Sequence, residues 1–402
     1  MTKFPLPSLE LLSQPVSGTD TVGIENPDEH RENVTFRNLA ASKDFQKPYA
    51  YLPVILGKNK EGDIIVADLT RMPHLLMAGA AGTDTTMLIH SILVSLLYHK
   101  QPSDVQLLLV DSKRAELAVY ADEPHLVHPV VTEMTEAKNA LCWAVHEMER
   151  RYEALALLRV REIAVFNQKL ASYNKKGVPP EYADLKPMPY LVIVISELSD
   201  LMREAVRDVE YNIVRLAQLA EVAGIHMVLA TQKPHFDVVT GLIKDNISSR
   251  ICFQVKSGHC SRTILDQMGA ENLGQGEMLY KPSRGRLELL QCPVISNDDV
   301  LTVVEHWKSY LNPSYEVDFS NEFKDTATED HSDKKYEILQ DPLYPALKHI
   351  VQHDGRINIA LTQHYLRIGF ERAVRLIEKL ERDGLIEQCQ SLSSTWRWRG
   401  YR

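Results

Sequence analysis

Four continuous apolar runs, VQLLLVD (105–111), YLVIVIS (190–196), HMVLATQ (226–232) and RICFQV (250–255), constrain this chain more than any other feature. A strand without polar alternation is covered on both faces, and the usual cover is a layer of helices on each side of a parallel sheet. The stretches between the runs have the matching texture. AKNALCWAVHEMERRYEALALL (137–158) sets Leu141, Val145, Met148, Tyr152 and Leu155 on one face, at the spacing of an amphipathic helix. VEYNIVRLAQLAEVAG (209–224) reads as a helix stopped by Gly224. LPVILG and DIIVADL read as two short strands around a Lys-Glu-Gly turn. In open α/β sheets ligands bind beyond the carboxyl ends of the strands. Those ends carry Gly79, Asp111, Ser196, Glu197, Thr231 and Gln232.

The segment HLLMAGAAGTDTTMLIHSILVSLLY (74–98) runs from an apolar strand through a glycine-containing loop into an apolar helix. That is the layout of a phosphate-binding loop, G-x-x-x-x-G-K-[ST]. Gly79 takes the first glycine position and Thr86 the final hydroxyl, with Gly82 and Thr83 between them. The second glycine is replaced by Asp84 and the lysine by Thr85. In a working loop, backbone N–H groups turn inward around the phosphates, the lysine reaches the β- and γ-phosphates, and the hydroxyl binds magnesium. Thr85 removes that cation, and a charge-assisted hydrogen bond is worth roughly 1.5–3 kcal/mol. Asp84 adds an anion beside a polyphosphate. At an effective dielectric near 20, like charges about 4 Å apart repel by roughly 4 kcal/mol. Aspartate is also less at ease than glycine should this position need positive φ.

With 402 residues, 44% of them hydrophobic, the chain has room for two or three domains. No apolar run approaches the roughly 20 residues that span a bilayer. The opening MTKFPLPSLELLSQP lacks the apolar centre of a signal peptide. Five scattered cysteines without a C-x-x-C pair fit a reduced, cytoplasmic setting. The histidines form no H-E-x-x-H pattern, so no metal centre is expected. The net charge of −9 argues against a uniformly basic nucleic-acid binder, but it is unevenly placed. Residues 313–342 hold nine Asp/Glu and three Lys, whereas 343–402 hold ten Lys/Arg and six Asp/Glu. Four parts follow: an irregular segment 1–45 with little to build a core, an α/β domain 46–312, an acidic flexible linker 313–342, and a basic module 343–402. In the last, PLYPALKHIVQ, RINIALTQHYL and GFERAVRLIEKLERDG supply three helices, and LIEQCQ with STWRWRG a hairpin. That order predicts a winged helix, whose third helix enters the major groove.

Several long stretches carry a specific resemblance. VADLTRMPHLLMAG, VHEMERRYEAL, RLAQLAEVAGIHMVLATQKP, VTGLIKDNISSRICFQV, SRTILDQMGAENL and RIGFERAVRLIEKLERDGLIE together resemble the FtsK/SpoIIIE family of DNA translocases, in the family's order. The resemblance covers roughly 50–300 and 343–390. It implies a RecA-like P-loop fold with a mainly parallel sheet, followed by a winged-helix γ module that reads short DNA sequences. It also implies hexameric, ATP-driven pumping of double-stranded DNA. Three departures stand against a direct transfer. The domain that precedes the family's motor, and its membrane anchor, are expected to be missing. The loop ends Gly82-Thr83-Asp84-Thr85-Thr86 in place of G-x-G-K-S. The strand-end Asp-Glu that serves magnesium and water is Ser196-Glu197.

On the resemblance, Glu197 orients the attacking water and Gln232 senses the γ-phosphate if the site is active, and Ser196 is a degenerate magnesium position. Each has a structural alternative: Thr86 caps or packs, and Glu197 pairs with Lys113. Arg262 is either a trans-acting arginine or a partner in a structural salt bridge. Lys244, Lys256, Lys281, Arg284 and Arg286 either face a DNA channel or are solvated. Arg367, Arg372 and Arg375 around the third helix, and Arg397 and Arg399 in the wing beside Trp396 and Trp398, are the expected DNA contacts, since Arg binds guanine bidentately or clamps phosphate. Glu371, where the family usually has an uncharged polar residue, alters specificity or weakens binding. The expectation is a pseudo-ATPase that binds double-stranded DNA, alone as a monomer or in a ring with an active FtsK/SpoIIIE-type subunit, with no membrane partner. ATP and magnesium enter only if the loop works. An active translocase with an unorthodox site and a protein-interaction module are the alternatives.

Overall fold

The computed structural model describes residues 4–13, 34–47, 49–177, 179–315, 317–320, 344–366, 376–377, 380–381, 383–388 and 395–398. They fall into two units, 1–323 and 324–402.

In the first unit two short helices, α1 (Phe36–Ala40) and α2 (Lys43–Gln46), precede the hairpin β1 (Pro53–Asn59) and β2 (Ile64–Asp68). Then strands and helices alternate: β3 (His74–Ala78), α3 (Thr85–His99), β4 (Val105–Val110), α4 (Met134–Leu157), α5 (Ile163–Lys176), β5 (Tyr190–Ile195), α6 (Leu198–Leu219), β6 (Ile225–Thr231), α7 (Gly241–Asn246), β7 (Ser249–Phe253) and α8 (Gly258–Leu265). The hairpin β8 (Glu277–Lys281) and β9 (Glu288–Gln291) and the helix α9 (Asn297–Lys308) complete it. One sheet runs β2-β1-β9-β8-β7-β3-β6-β5-β4. Its β7-β3-β6-β5-β4 half is parallel, and β7-β8, β8-β9, β9-β1 and β1-β2 pair antiparallel.

The parallel half confirms the reading of the apolar runs. Alternate residues of one strand serve two cores. Leu75 and Met77 of β3, with Leu107 and Leu109 of β4, face a cluster that includes α3, α5 and α9. Leu76, Ala78, Leu108 and Val110 face the other, built from α4, α6, α7 and α8. Every residue of β3, β5, β6 and β7 is buried, as continuous apolar sequence demands.

Some expectations are corrected. The helix read over 209–224 begins eleven residues earlier, at Leu198, directly after Glu197, and contains a kink at Ala205 (φ −149, ψ 65). The 1–45 segment does contribute core: Leu12, Val34, Phe36, Leu39, Ala40 and Phe45 are buried. Hydrogen bonds from Tyr98 Oη to the Ser8 carbonyl (3.0 Å) and from Gln101 Nε2 to the Phe4 carbonyl (3.1 Å) fix its first stretch. The first residues of the expected linker 313–342 take part in the packed core of unit 1. Phe319 is fully buried beside Trp143 and His128, and its carbonyl accepts from Asn139 Nδ2 at 2.9 Å. Residues 321–343 lie outside the described residues.

The second unit contains α10 (Tyr344–Asp354), β10 (Arg356–Asn358), α11 (Ile359–Leu366), β11 (Ile386–Gln388) and β12 (Thr395–Trp398). The strands form an antiparallel sheet β10-β12-β11. Leu347, Val351, Ile357, Leu376, Ile377, Leu380 and Ile386 form its core. Residues 376–377 and 380–381 are helical, where the third helix is expected. Helix, strand, helix, helix and wing hairpin follow one another as in a winged helix.

Candidate functional site

The loop after β3 is tied to the strands on either side. Gly79 N–H donates to the Thr231 carbonyl (3.2 Å) at the end of β6, and Ala80 N–H to the Gln254 carbonyl (2.8 Å) beyond β7. Position 79 has room for glycine alone. A Cβ there would lie 2.3 Å from Thr83 Oγ1, 2.8 Å from Thr85 Oγ1 and 2.9 Å from Phe253 Cβ. Thr83 donates through both N–H and Oγ1 to the Ala80 carbonyl (3.1 and 2.8 Å). Its hydroxyl also meets Thr85 Oγ1 at 3.2 Å. The loop therefore packs its own hydroxyls against Gly79, and Thr85 is buried as the first residue of α3.

Asp84 does not carry the strain anticipated for it. Its φ is −78° and ψ 26°, whereas Gly82, exposed and uncrowded, takes the positive φ of 87°. Substitution of the second glycine is conformationally harmless in this loop. Its effect is one of charge.

Beyond the loop, the ends of β4, β5 and β6 meet. Asp111, fully buried, follows β4. Its Oδ2 accepts from the N–H groups of Glu116 (2.9 Å) and Leu117 (2.8 Å), and its Oδ1 from Lys113 N–H (3.2 Å). A carboxylate that satisfies three backbone donors fixes the shape of the 112–117 turn. Ser196, after β5, donates its hydroxyl to Asp111 Oδ1 (3.3 Å). Next to it, Glu197 is 2% exposed. Its Oε1 accepts from Thr231 Oγ1 (2.7 Å) and Ser199 N–H (3.2 Å), and its Oε2 from Gln232 N–H (3.1 Å). Glu197 thus caps α6 while Lys113 Nζ lies 3.6 Å from its Oε2. The expected pairing of Glu197 with Lys113 is present.

Sequence reasoning overlooked Glu116. Its Oε2 accepts from Thr86 Oγ1 (3.0 Å), and its Oε1 from Lys113 Nζ (3.3 Å) and Gln232 Nε2 (3.4 Å). The available signal was the spacing of Lys113 and Glu116 two and five residues after a strand-end Asp. A cavity of about 460 Å3 opens beside Thr86 and Glu116, bounded by His90, Ala118, Asn297 and Leu301. A larger one, about 800 Å3, lies at the β4 edge among Trp143, Phe166 and Met188 and includes none of these residues.

The remaining candidates are dispersed. Arg262 is exposed on α8 and makes no ion pair among the described residues. Lys244 and Lys281 are held by Asp266 at 2.8 and 2.6 Å, with Arg250 at 2.7 Å. Partial burial pushes the Asp266 carboxyl up, but the hydrogen bonds from Lys244 and Lys281 and the Arg250 charge outweigh it and hold it well below the usual carboxylate range. Lys256, Arg284 and Arg286 are exposed. In the wing strand, Arg397 stands in backbone register with Arg356 on one side and Glu387 on the other. Arg367, Glu371, Arg372, Arg375 and Arg399 lie outside the described residues.

Comparison with known proteins adds to this geometry. The sequence pattern of the FtsK/SpoIIIE family matches residues 35–235, and that of the FtsK gamma domain matches 339–394. The chain is similar to the DNA translocase FtsK of Haemophilus influenzae, 40% identical over 94% of this chain and 74% of that protein. It is 39% identical to the DNA translocase FtsK of Brucella melitensis biotype 1, over 92% of this chain but only 48% of the relative. Among solved structures, the pCW3 conjugation coupling protein TcpA, a monomer form with ATPγS, superposes with a TM-score of 0.56 at 24% identity, over 67% of this chain and 73% of that one. The cytoplasmic domain of the type VII secretion ATPase EccC from Thermomonospora curvata gives 0.56 at 23% identity, over 67% of this chain and 32% of that one. These two similarities carry the fold. Among the described residues no helix is long and apolar enough to cross a membrane.

Proposed function

Because the chain belongs to the FtsK/SpoIIIE family, we propose that it is a double-stranded-DNA-binding member whose nucleotide site no longer hydrolyses ATP. The observation that carries this reading is the loop interior, where Thr83 and Thr85 bond each other against Gly79 in the region a phosphate-binding loop keeps for its ligand and its lysine. Two further groups support it. Ser196 is engaged with Asp111 and offers magnesium no carboxylate. Glu197 already accepts from Thr231, Ser199 and Gln232, leaving it poorly placed to orient a water. The loss of a lysine and the gain of Asp84 act in the same direction.

DNA binding falls to the basic module 343–402, most of which the gamma-domain match over 339–394 covers. With catalysis lost, such a chain serves as a passive subunit or modulator beside an active FtsK/SpoIIIE-type partner, in the cytoplasm. Purified protein is expected to show no ATP turnover above background with duplex DNA present, and Glu197→Gln to change nothing. DNA-stimulated turnover that Glu197→Gln abolishes would sink the reading. A salt-sensitive mobility shift, weakened by Arg372→Ala with Arg375→Ala, is expected for the DNA side. Its absence favours a protein-interaction role.

One observation favours a second reading, an active translocase with an unorthodox site. Lys113 brings an ammonium within 4 Å of Glu116 and Glu197, so a cation does stand where Thr86, Gln232 and Glu197 converge.

A further inference from the structure

Thr86 Oγ1, Gln232 Nε2 and Lys113 Nζ all point at one carboxylate, that of Glu116, at 3.0, 3.4 and 3.3 Å. They arrive from three elements: the first turn of α3, the end of β6 and the turn after β4. In the phosphate-loop pattern, the hydroxyl at the Thr86 position serves the metal and terminal phosphates. A cation, an amide donor and a hydroxyl converging on a point make a receptor for an oxyanion, since each can donate and none needs to accept. Here the receptor already contains one.

We propose that Glu116 is a built-in occupant of this site: an internal carboxylate that takes the donors a phosphate group would use and keeps external oxyanions out. The proposal rests on the pseudo-ATPase reading and gives it a second, separable cause. Beyond losing the loop lysine, the chain supplies its own competing anion. The carboxylate is well suited to that role. It is only 15% exposed, and its backbone is pinned because Glu116 N–H donates to buried Asp111 at 2.9 Å. A tethered group competes at an effective concentration of about millimolar or above, so a free anion must be both abundant and better matched to displace it. Displacement has somewhere to send the side chain: the cavity of about 460 Å3 that Glu116 itself lines. Once the carboxylate leaves, Lys113 retains Glu197 at 3.6 Å as its one other ion-pair partner among the described residues, and its ammonium can turn to meet a phosphate.

The test is calorimetric titration of tripolyphosphate, with and without magnesium, into the full chain and its variants. The natural protein is expected to bind weakly. Glu116→Ala is expected to bind at least tenfold more tightly, Glu116→Gln to gain less, and Lys113→Met added to Glu116→Ala to lose the gain. Melting curves establish that each variant is folded. If folded Glu116→Ala and Glu116→Gln both bind no better than the natural protein, the proposal is overturned. A gain that survives Lys113→Met also overturns it, because the donors would not then form one receptor. Neither result touches the pseudo-ATPase reading, which stands or falls on DNA-stimulated turnover by the natural protein.

Discussion

At the scale of single residues, buried Asp111 determines more of the site than any residue of the loop itself. It accepts three backbone N–H groups and the Ser196 hydroxyl. Replacing it with alanine leaves buried donors unmet, at about 1–3 kcal/mol for each group that finds no water. Asp111→Ala is therefore expected to lower stability by about 2–4 kcal/mol in urea unfolding; a loss under about 0.5 kcal/mol would mean the turn holds itself. Gly79→Ala is expected to destabilise as well, since the new methyl meets Thr83 Oγ1 at 2.3 Å. A thermal scan decides, and an unchanged melting temperature would show that Thr83 simply turns away. Residue-level reading of the sequence located the loop, the strand ends and the Glu197–Lys113 contact. It left open whether Asp84 would need positive φ, because which loop residue takes that conformation depends on the turn, where Gly82 takes it. It missed Glu116, because a carboxylate's partners come from three distant segments.

At the scale of elements, the legible parts were those whose pattern is strong within a short window. The wholly buried strands β3, β5 and β6 announce themselves by nearly continuous apolar sequence, and α4 by its stripe. The antiparallel hairpin β8-β9 was hidden. The five residues of β8 alternate between half-buried and buried, β9 has only four with a single buried one, and Gly274 and Gly276 stand just before. The start of α6 was hidden too, because its capping group is Glu197, which reads as a catalytic residue. Helix α9 shows a signal that local sequence does contain: Ser296 and Asp299 form a reciprocal capping box. Asp299 also accepts from Ser13 N–H, which ties the amino-terminal strap to this helix. Ser296→Ala is expected to lower stability by about 1 kcal/mol, measured by thermal unfolding.

At the scale of the whole molecule, three buried histidines set the response to acid. Burial, with His226 beside it, lowers His74 to about 3. Burial lowers His226 and His90 to about 4, against a small upward pull on His226 from the Pro73 carbonyl. All three are neutral in the fold, whereas in the unfolded chain they protonate near 6.5. Below that pH the unfolded state binds protons the native state refuses, so stability falls as pH drops from about 6.5 towards 4 and levels off beneath the native values. Each histidine contributes a slope of about 1.4 kcal/mol per pH unit across that window. Asp266 acts in a lower window: its stabilisation is present above the ordinary Asp value and is lost as pH falls through its depressed one. Urea midpoints between pH 7 and 4 test this, and a flat profile would contradict neutral buried histidines.

The Asp266 knot has one more effect, on how unit 1 would respond to salt if it grips a duplex. Affinity for a polyanion arises largely from the small ions that each phosphate contact sets loose. Lys244 and Lys281 are already partnered by Asp266, so each would have to surrender a protein counterion before it liberates a mobile one. Lys256, Arg284 and Arg286 would then carry that contact, with a slope of log affinity against log salt near −2.7, from about −0.9 per phosphate. Asp266→Asn should steepen it towards about −4.5 as both lysines are released. An aspartate that looks like scaffolding would in that way set how steeply a contact made by unit 1 weakens as ionic strength rises.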